Sequence, residues 1–220
     1  MSRRYQTQES LPAELLLRAY AAGIFPMAES RDDPQVFWVD PKKRGVIPLD
    51  GFHLPKKFRK TLRNPPFIVR ANSAFEQVLK SCAETGPGRD ETWINKPIQD
   101  AVTELHHLGF AHSIETWQDG YLVGGLYGVA LRGAFFGESM FSRATDASKV
   151  ALAHLVARLR IGGFRLLDTQ FVTEHLKQFG CREILARDYQ KQLAAALDYQ
   201  SRFPVNPAKA DLEREFDGFV

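Results

Sequence analysis

GGLYGVALRGAFFGESMFSRATDASK, residues 124–149, runs as an apolar strand, turns at Arg132-Gly133, and returns from Ala134 to Ser142 before a helix begins. Side chains on a strand alternate between its two faces, so Phe136, Glu138 and Met140 are expected on one face. That sets a carboxylate between two large apolar groups. A buried carboxylate without a partner is costly or takes up a proton. Glu138 therefore either lies in solvent on an edge strand or belongs to a working site.

Upstream, residues 111–118 alternate as a strand and Asp119-Gly120 is a hairpin turn signal, so the stretch completes a three-stranded antiparallel meander. Downstream, Asp146 or Thr145 caps a helix in which Leu152, Leu155, Val156 and Leu159 keep helical spacing, and Gly162-Gly163 closes it. A strand over 164–169, a short helix over 173–179, a short strand over 181–185 and a helix over about 188–197 follow. Meander, helix, strand, helix is an α/β arrangement, α+β with a mixed sheet.

Before the meander, Ser10 is expected to cap a helix that Gly23 ends, and residues 36–39 to form a strand followed by a turn over 40–45. Ser73 and Glu76 match a capping box, and Asn95 with Pro97 opens another helix. The first part is short in periodic segments and rich in proline. It reads as a small subdomain over 1–64, with a boundary near Asn64-Pro65-Pro66 and a larger domain over 65–220.

With 220 residues, 44% hydrophobic and 25% charged, the chain has the composition of a soluble globular protein with a real core. No apolar run approaches the ~18 residues of a membrane span, and the start has no apolar signal-peptide segment. Cys82 and Cys181 lie far apart outside any C-x-x-C motif, which predicts a reduced cytoplasmic setting with no disulfide framework and no zinc site. The six histidines show no metal spacing, and Cys181 reads as a small packed residue. Net charge is only +3, but residues 42–70 carry Lys42, Lys43, Arg44, Lys56, Lys57, Arg59, Lys60, Arg63 and Arg70 against Asp50 alone. A basic stripe of this kind suits a phosphate backbone.

The order of elements resembles the acetyltransferase-like (GNAT) fold. In those enzymes a glycine-rich loop after the meander cradles the coenzyme A pyrophosphate. Here that loop, residues 142–148, has no glycine and carries Asp146, which argues against an acyl-CoA donor. Longer motifs then converge: GIFPM (23–27), Trp38 followed by DPKKRGVIPL, ETWI (91–94), the opening stretch itself, ASKVALAHL (147–155), and LDTQ followed by EHLKQFG. With these, the chain resembles the bacterial leucyl/phenylalanyl-tRNA–protein transferases over about residues 10–190.

That resemblance implies transfer of Leu or Phe, less often Met, from aminoacyl-tRNA to proteins beginning with Arg or Lys, marking them for N-degron degradation. It implies no metal, no cofactor and no ATP. Asp168 is expected to orient Gln170, the two sharing a strand face, and Gln170 to position the attacking amine or the ester. Glu138 is expected to meet the α-ammonium of the donor or the cation of the acceptor. Leu126, Met140, Leu152, Leu155, Leu159 and Leu167 are expected to form the socket for the aminoacyl side chain, with Leu155 and Leu159 standing where other members look aromatic. Trp38 and Trp93 are expected to hold the terminal adenosine by stacking. Lys42, Lys43, Arg44, Lys56, Lys57, Arg59, Lys60 and Arg63 are expected on acceptor-stem phosphates. A monomer is expected. A coenzyme-A-dependent N-acetyltransferase and a non-catalytic RNA-binding domain are the other readings.

Overall fold

The structure, a computed structural model, describes residues 3–6, 11–85 and 90–220. Its elements in chain order are β1 (Arg3–Gln6), α1 (Ala13–Ala21), β2 (Phe25–Met27), β3 (Phe37–Asp40), β4 (Lys43–Ile47), α2 (Lys56–Arg63), β5 (Ile68–Ala71), α3 (Phe75–Cys82), α4 (Lys96–His107), β6 (Ala111–Gln118), β7 (Tyr121–Leu131), β8 (Ala134–Ser142), α5 (Ala147–Ile161), β9 (Leu166–Gln170), α6 (Glu174–Lys177), β10 (Arg182–Leu185), α7 (Ala186–Leu197) and α8 (Lys209–Asp217). This is a mixed α/β fold, as the sequence predicts.

A seven-stranded sheet in the order β10-β4-β9-β8-β7-β6-β5 is the frame, and a three-stranded sheet β1-β3-β2 stands beside it. The meander forms as expected: β6 to β7 to β8 run antiparallel, with Asp119 and Arg132 in left-handed turn conformations before their glycines. Pairing between β8 and β9 is parallel; every other strand pair in the large sheet is antiparallel. β4 comes from before the expected boundary at Asn64, yet it fills the place between β10 and β9. The large sheet therefore draws a strand from the segment read as a separate subdomain.

Two apolar clusters cover the sheet, one per face. Tyr20, Phe136, Phe141, Tyr189 and Leu193 belong to one, with α1, α3, α4 and α7 over it. Phe135, Leu126, Leu167 and almost all of α5 belong to the other, closed by α2 and α8. Helix α5 is buried on nearly every side, from Ala147 through Leu159, because strands lie beneath it and α8 lies across it. A helix enclosed this way carries apolar residues all round.

Several local expectations change. Residues 43–45 are strand rather than turn, because β4 has partners on both sides. The capping box at Ser73 does not form: Ser73 N–H and Oγ and Ala74 N–H all bond Glu115, a buried carboxylate on β6. Asn95 does cap α4, accepting from Ile98 N–H at 3.1 Å. Asp146 precedes α5 in a left-handed conformation and pairs with Lys149 instead of capping. The cap at Ser10 lies outside the described residues. Helices α2 and α8 have no counterpart in the sequence reading; α2 is short and strongly amphipathic, with Phe58 and Leu62 inward.

Candidate active site

The parallel pair β8–β9 is hydrogen-bonded from Ala134 with Leu166 to Phe136 with Asp168. Beyond that point both strands carry an extra residue. On β8, Tyr127 faces Ser139 while Gly128 faces Gly137, so Glu138 is the bulged residue. On β9, Gly45 faces Gln170 while Val46 faces Asp168, so Thr169 is the bulged residue. A bulge bends a strand, interrupts its ladder and re-aims a side chain. Two bulges on neighbouring strands at one level open a cavity of about 730 Å³ between them.

The bulge on β8 corrects the face assignment made from alternation. Phe136 packs in the cluster beneath α1 and α7, whereas Met140 packs against the cluster of α5. Glu138 sits at the changeover. The bulge on β9 corrects the second assignment: Gln170, at φ 56°, lines the cavity, whereas Asp168 is wholly buried behind it. They are coupled through the backbone, since Gln170 N–H donates to Asp168 Oδ1 at 2.8 Å.

Asp168 is held by two further residues. Arg44 donates through Nε to Oδ1 and Oδ2 at 2.9 and 3.0 Å and through Nη2 to Oδ2 at 2.6 Å. The Tyr189 hydroxyl donates to Oδ2 at 2.7 Å. Burial works against the charge on Arg44, but the Asp168 charge and hydrogen bonds more than reverse this, and its pKa lies above the ordinary value. Arg44 is 1% exposed, so the expectation of a phosphate contact is corrected: its guanidinium is consumed inside the fold.

Glu138 is partly open toward the cavity, but its Oε1 is sealed from solvent and makes no hydrogen bond. Burial raises its pKa, pushed up to about 8; Tyr20 opposes the rise, Asp168 adds to it and Arg44 opposes it. The Tyr20 hydroxyl, buried nearby on α1, also lacks a hydrogen bond of ordinary geometry, as does Gln170 Nε2. Buried polar atoms are nearly always paired in a native structure, and those left over call for a reason. Among them Glu138 Oε1, Gln170 Nε2 and His175 Nε2 belong to residues on the wall of one cavity.

The remaining wall divides by chemistry. Leu126, Met140, Leu152, Leu155 and Leu167 line an apolar side of the cavity; Leu159 does not reach it and is packed in the core. Trp93 lines the cavity, but Trp38, 7% exposed on the middle strand of the small sheet, is a core residue and not a wall residue. Reading by motif missed Phe25, Met27, Phe171, Thr173, His175 and Leu176, which also line the cavity. Phe171 is 45% exposed and meets Phe25 edge-on at 5.7 Å, an exposed aromatic directly after Gln170. Of the basic residues, Lys42, Lys43, Lys56, Lys60 and Arg63 are exposed and Arg59 is half-buried. The Lys57 side chain lies outside the described residues. Lys43 pairs with Glu183 and Arg63 with Asp217. Among the described residues no group of three or more His, Cys, Asp or Glu side chains could hold a metal.

Comparison with known proteins now decides the family. A family model described as leucyl/phenylalanyl-tRNA protein transferase matches residues 46–194, and the model of the N-terminal domain of the same proteins matches residues 9–42. The chain belongs to the leucyl/phenylalanyl-tRNA–protein transferase family. It is 62% identical over 200 residues to the leucyl/phenylalanyl-tRNA–protein transferase of Paramagnetospirillum magneticum, covering 91% of this chain and 96% of that one. It is 62% identical over 182 residues to that of Phenylobacterium zucineum (83% and 82% covered), and 56% over 197 residues to that of Rhodospirillum rubrum (90% and 92%). The two family matches are separated by residues 43–45, the first part of β4.

Proposed function

We propose that this protein transfers leucine or phenylalanine, and less readily methionine, from aminoacyl-tRNA to the α-amino group of proteins beginning with Arg or Lys. The observation that carries this reading is one cavity joining an apolar socket to two unpaired buried polar atoms, Glu138 Oε1 and Gln170 Nε2, in a chain of this family. The socket takes the aminoacyl side chain; Trp93 offers a stacking face for the terminal adenosine. The product is a protein one residue longer, a mark for degradation by the N-degron route in the cytoplasm. The working unit is a monomer.

An aminoacyl ester is already activated. The amine nitrogen attacks the ester carbonyl carbon, the bond to the ribose oxygen breaks, a peptide bond forms, and the nitrogen's proton leaves with the ribose hydroxyl. What the protein must supply is orientation and a neutral amine. An α-amino group has a pKa of roughly 7.7–8.0, close to the value of about 8 for Glu138. An ammonium beside Glu138 favours the carboxylate, whose own proton passes to solvent. Because the two pKa values lie close, that carboxylate can then take a proton from the ammonium and leave the neutral amine that attacks. Gln170 polarises and positions, since an amide is a poor base. Arg59, Lys56 and Lys60 on α2, with Lys42, offer charge to acceptor-stem phosphates.

Two competing readings lose support, one from the loop before α5 and one from the cavity. Ser142 Oγ accepts from Ser148 N–H at 3.2 Å, and Asp146 adds negative charge, so the start of α5 is poorly suited to a coenzyme A pyrophosphate. A passive RNA-binding domain has no use for unpaired Glu138 and Gln170. Incubation with labelled Leu-tRNA and a peptide starting with Arg is expected to move label to the peptide. Modification with acetyl-CoA alone, and none with Leu-tRNA, would overturn the assignment.

A further inference from the structure

Arg44 reaches into three separate parts of the chain. It stands on β4, clamps Asp168 on β9, donates through Nη1 to the Gly23 carbonyl at 2.9 Å, and lies between the rings of Phe25 and Tyr189 at 4.5 and 4.6 Å. Phe25 is itself a cavity wall. Tyr189, on α7, supplies both a ring to Arg44 and a hydroxyl to Asp168. Asp168 Oδ1 is thereby fixed where it receives the N–H of Gln170.

Gln170 needs such support. Its φ of 56° is a conformation that non-glycine residues rarely adopt, and such residues persist where their surroundings over-determine them. The neighbouring backbone is equally confined: a Cβ on Gly45 would stand 2.6 Å from the Phe171 carbonyl carbon and 3.0 Å from Thr169 Oγ1. The amide that faces the cavity is therefore aimed by its own backbone, its backbone by Asp168, and Asp168 by two residues outside the cavity. A buried carboxylate needs its lone pairs satisfied for stability alone, so what marks a role in the reaction is that one of these bonds ends on Gln170, a residue of the cavity wall.

We propose that Arg44 and Tyr189 are positioning residues of the transfer reaction, acting through Asp168 to hold the Gln170 side chain toward the reacting ester. This rests on the transferase reading above. The role differs in kind from a phosphate contact: it predicts loss in turnover rather than in RNA affinity.

The test uses Tyr189→Phe and Arg44→Lys, with thermal unfolding to establish that each variant is folded at the assay temperature. Tyr189→Phe removes one hydroxyl and preserves the ring, so it remains informative if Arg44→Lys does not fold. Both are expected to lower kcat at least about tenfold while the Kd for Leu-tRNA, and its salt dependence, stay within about twofold of wild type. In a cycle with Gln170→Asn, Tyr189→Phe is expected to add little beyond the loss already caused at Gln170, because groups acting through one another are not additive. Wild-type kcat in a folded Tyr189→Phe variant overturns the inference. So does a weakened Kd with unchanged kcat, which would return Arg44 to the RNA. Absence of transfer by the wild-type protein would instead refute the transferase reading.

Discussion

Glu138 is the residue where stability and function pull apart. An ordinary carboxyl ionises near 4.5, whereas this one does so at about 8 because it is buried. Below pH 4.5 both folded and unfolded chains hold the proton and no penalty exists. Between 4.5 and 8 the unfolded chain loses it and the folded chain keeps it, so stability falls with rising pH until the folded pKa is passed. Glu138→Gln is expected to flatten this slope in chemical denaturation measured at several pH values, and to be more stable at pH 9 by on the order of a few kcal/mol. The same variant is expected to lose about 10²-fold in transfer. A slope equal to wild type would mean that Glu138 ionises normally. The sequence singled out Glu138 because an acid flanked by large apolar groups is anomalous on any reading. It misplaced Arg44 for the converse reason: among several cations in one run, nothing local marks the one whose partner lies 124 residues further on.

At the scale of elements, what escaped the sequence was the pair of bulges. FFGES can be read in either strand frame, since Phe135 and Phe136 are both apolar and Gly137 has no side chain to place. Alternation therefore reported one face where the strand in fact changes frame. Gly128 is the partner that makes the β8 bulge possible: a Cβ there would meet the Phe136 carbonyl oxygen at 2.3 Å and Phe135 Cε1 at 2.5 Å. Gly128→Ala is expected to cost about 1–3 kcal/mol of stability, because the contact is partly with backbone. It is also expected to displace Glu138, lowering kcat while leaving the RNA affinity nearly intact. Denaturation and steady-state kinetics on one preparation check both halves. By contrast, the meander, its two left-handed turns and the Asn95 cap were legible, because hairpin turns and caps are specified by a few adjacent residues.

At the scale of the molecule, the charge asymmetry read from the sequence survives as one face of α2 with Lys42, rather than as a stripe of eight equivalent cations. Helix α2 turns Phe58 and Leu62 inward and Lys56 and Lys60 outward. Lys56→Ala with Lys60→Ala is expected to weaken Leu-tRNA binding and to lower the slope of log Kd against log salt by about one to two. Saturating kcat is expected to be unaffected. An unchanged slope in filter-binding or anisotropy titrations would move the RNA elsewhere. Long-range pairing set the rest of the architecture beyond sequence reading. Residues 43–45 of β4 read as a turn because the partners of the strand, β9 and β10, come more than a hundred residues later.

That placement of β4 bears on how the protein could be cut. A fragment made of residues 65–220 keeps the meander, the buried helix and most of the cavity wall, and from sequence alone it would pass for a self-sufficient domain. It would also lack the strand between β10 and β9, leaving β9 with an open edge and β10 without a partner strand. Raw strand edges are templates for pairing with other chains. The fragment is expected to self-associate or aggregate on expression, and a soluble monomer by size-exclusion chromatography would contradict this. A synthetic peptide spanning β4 supplied to the refolding fragment would have a vacant slot to occupy.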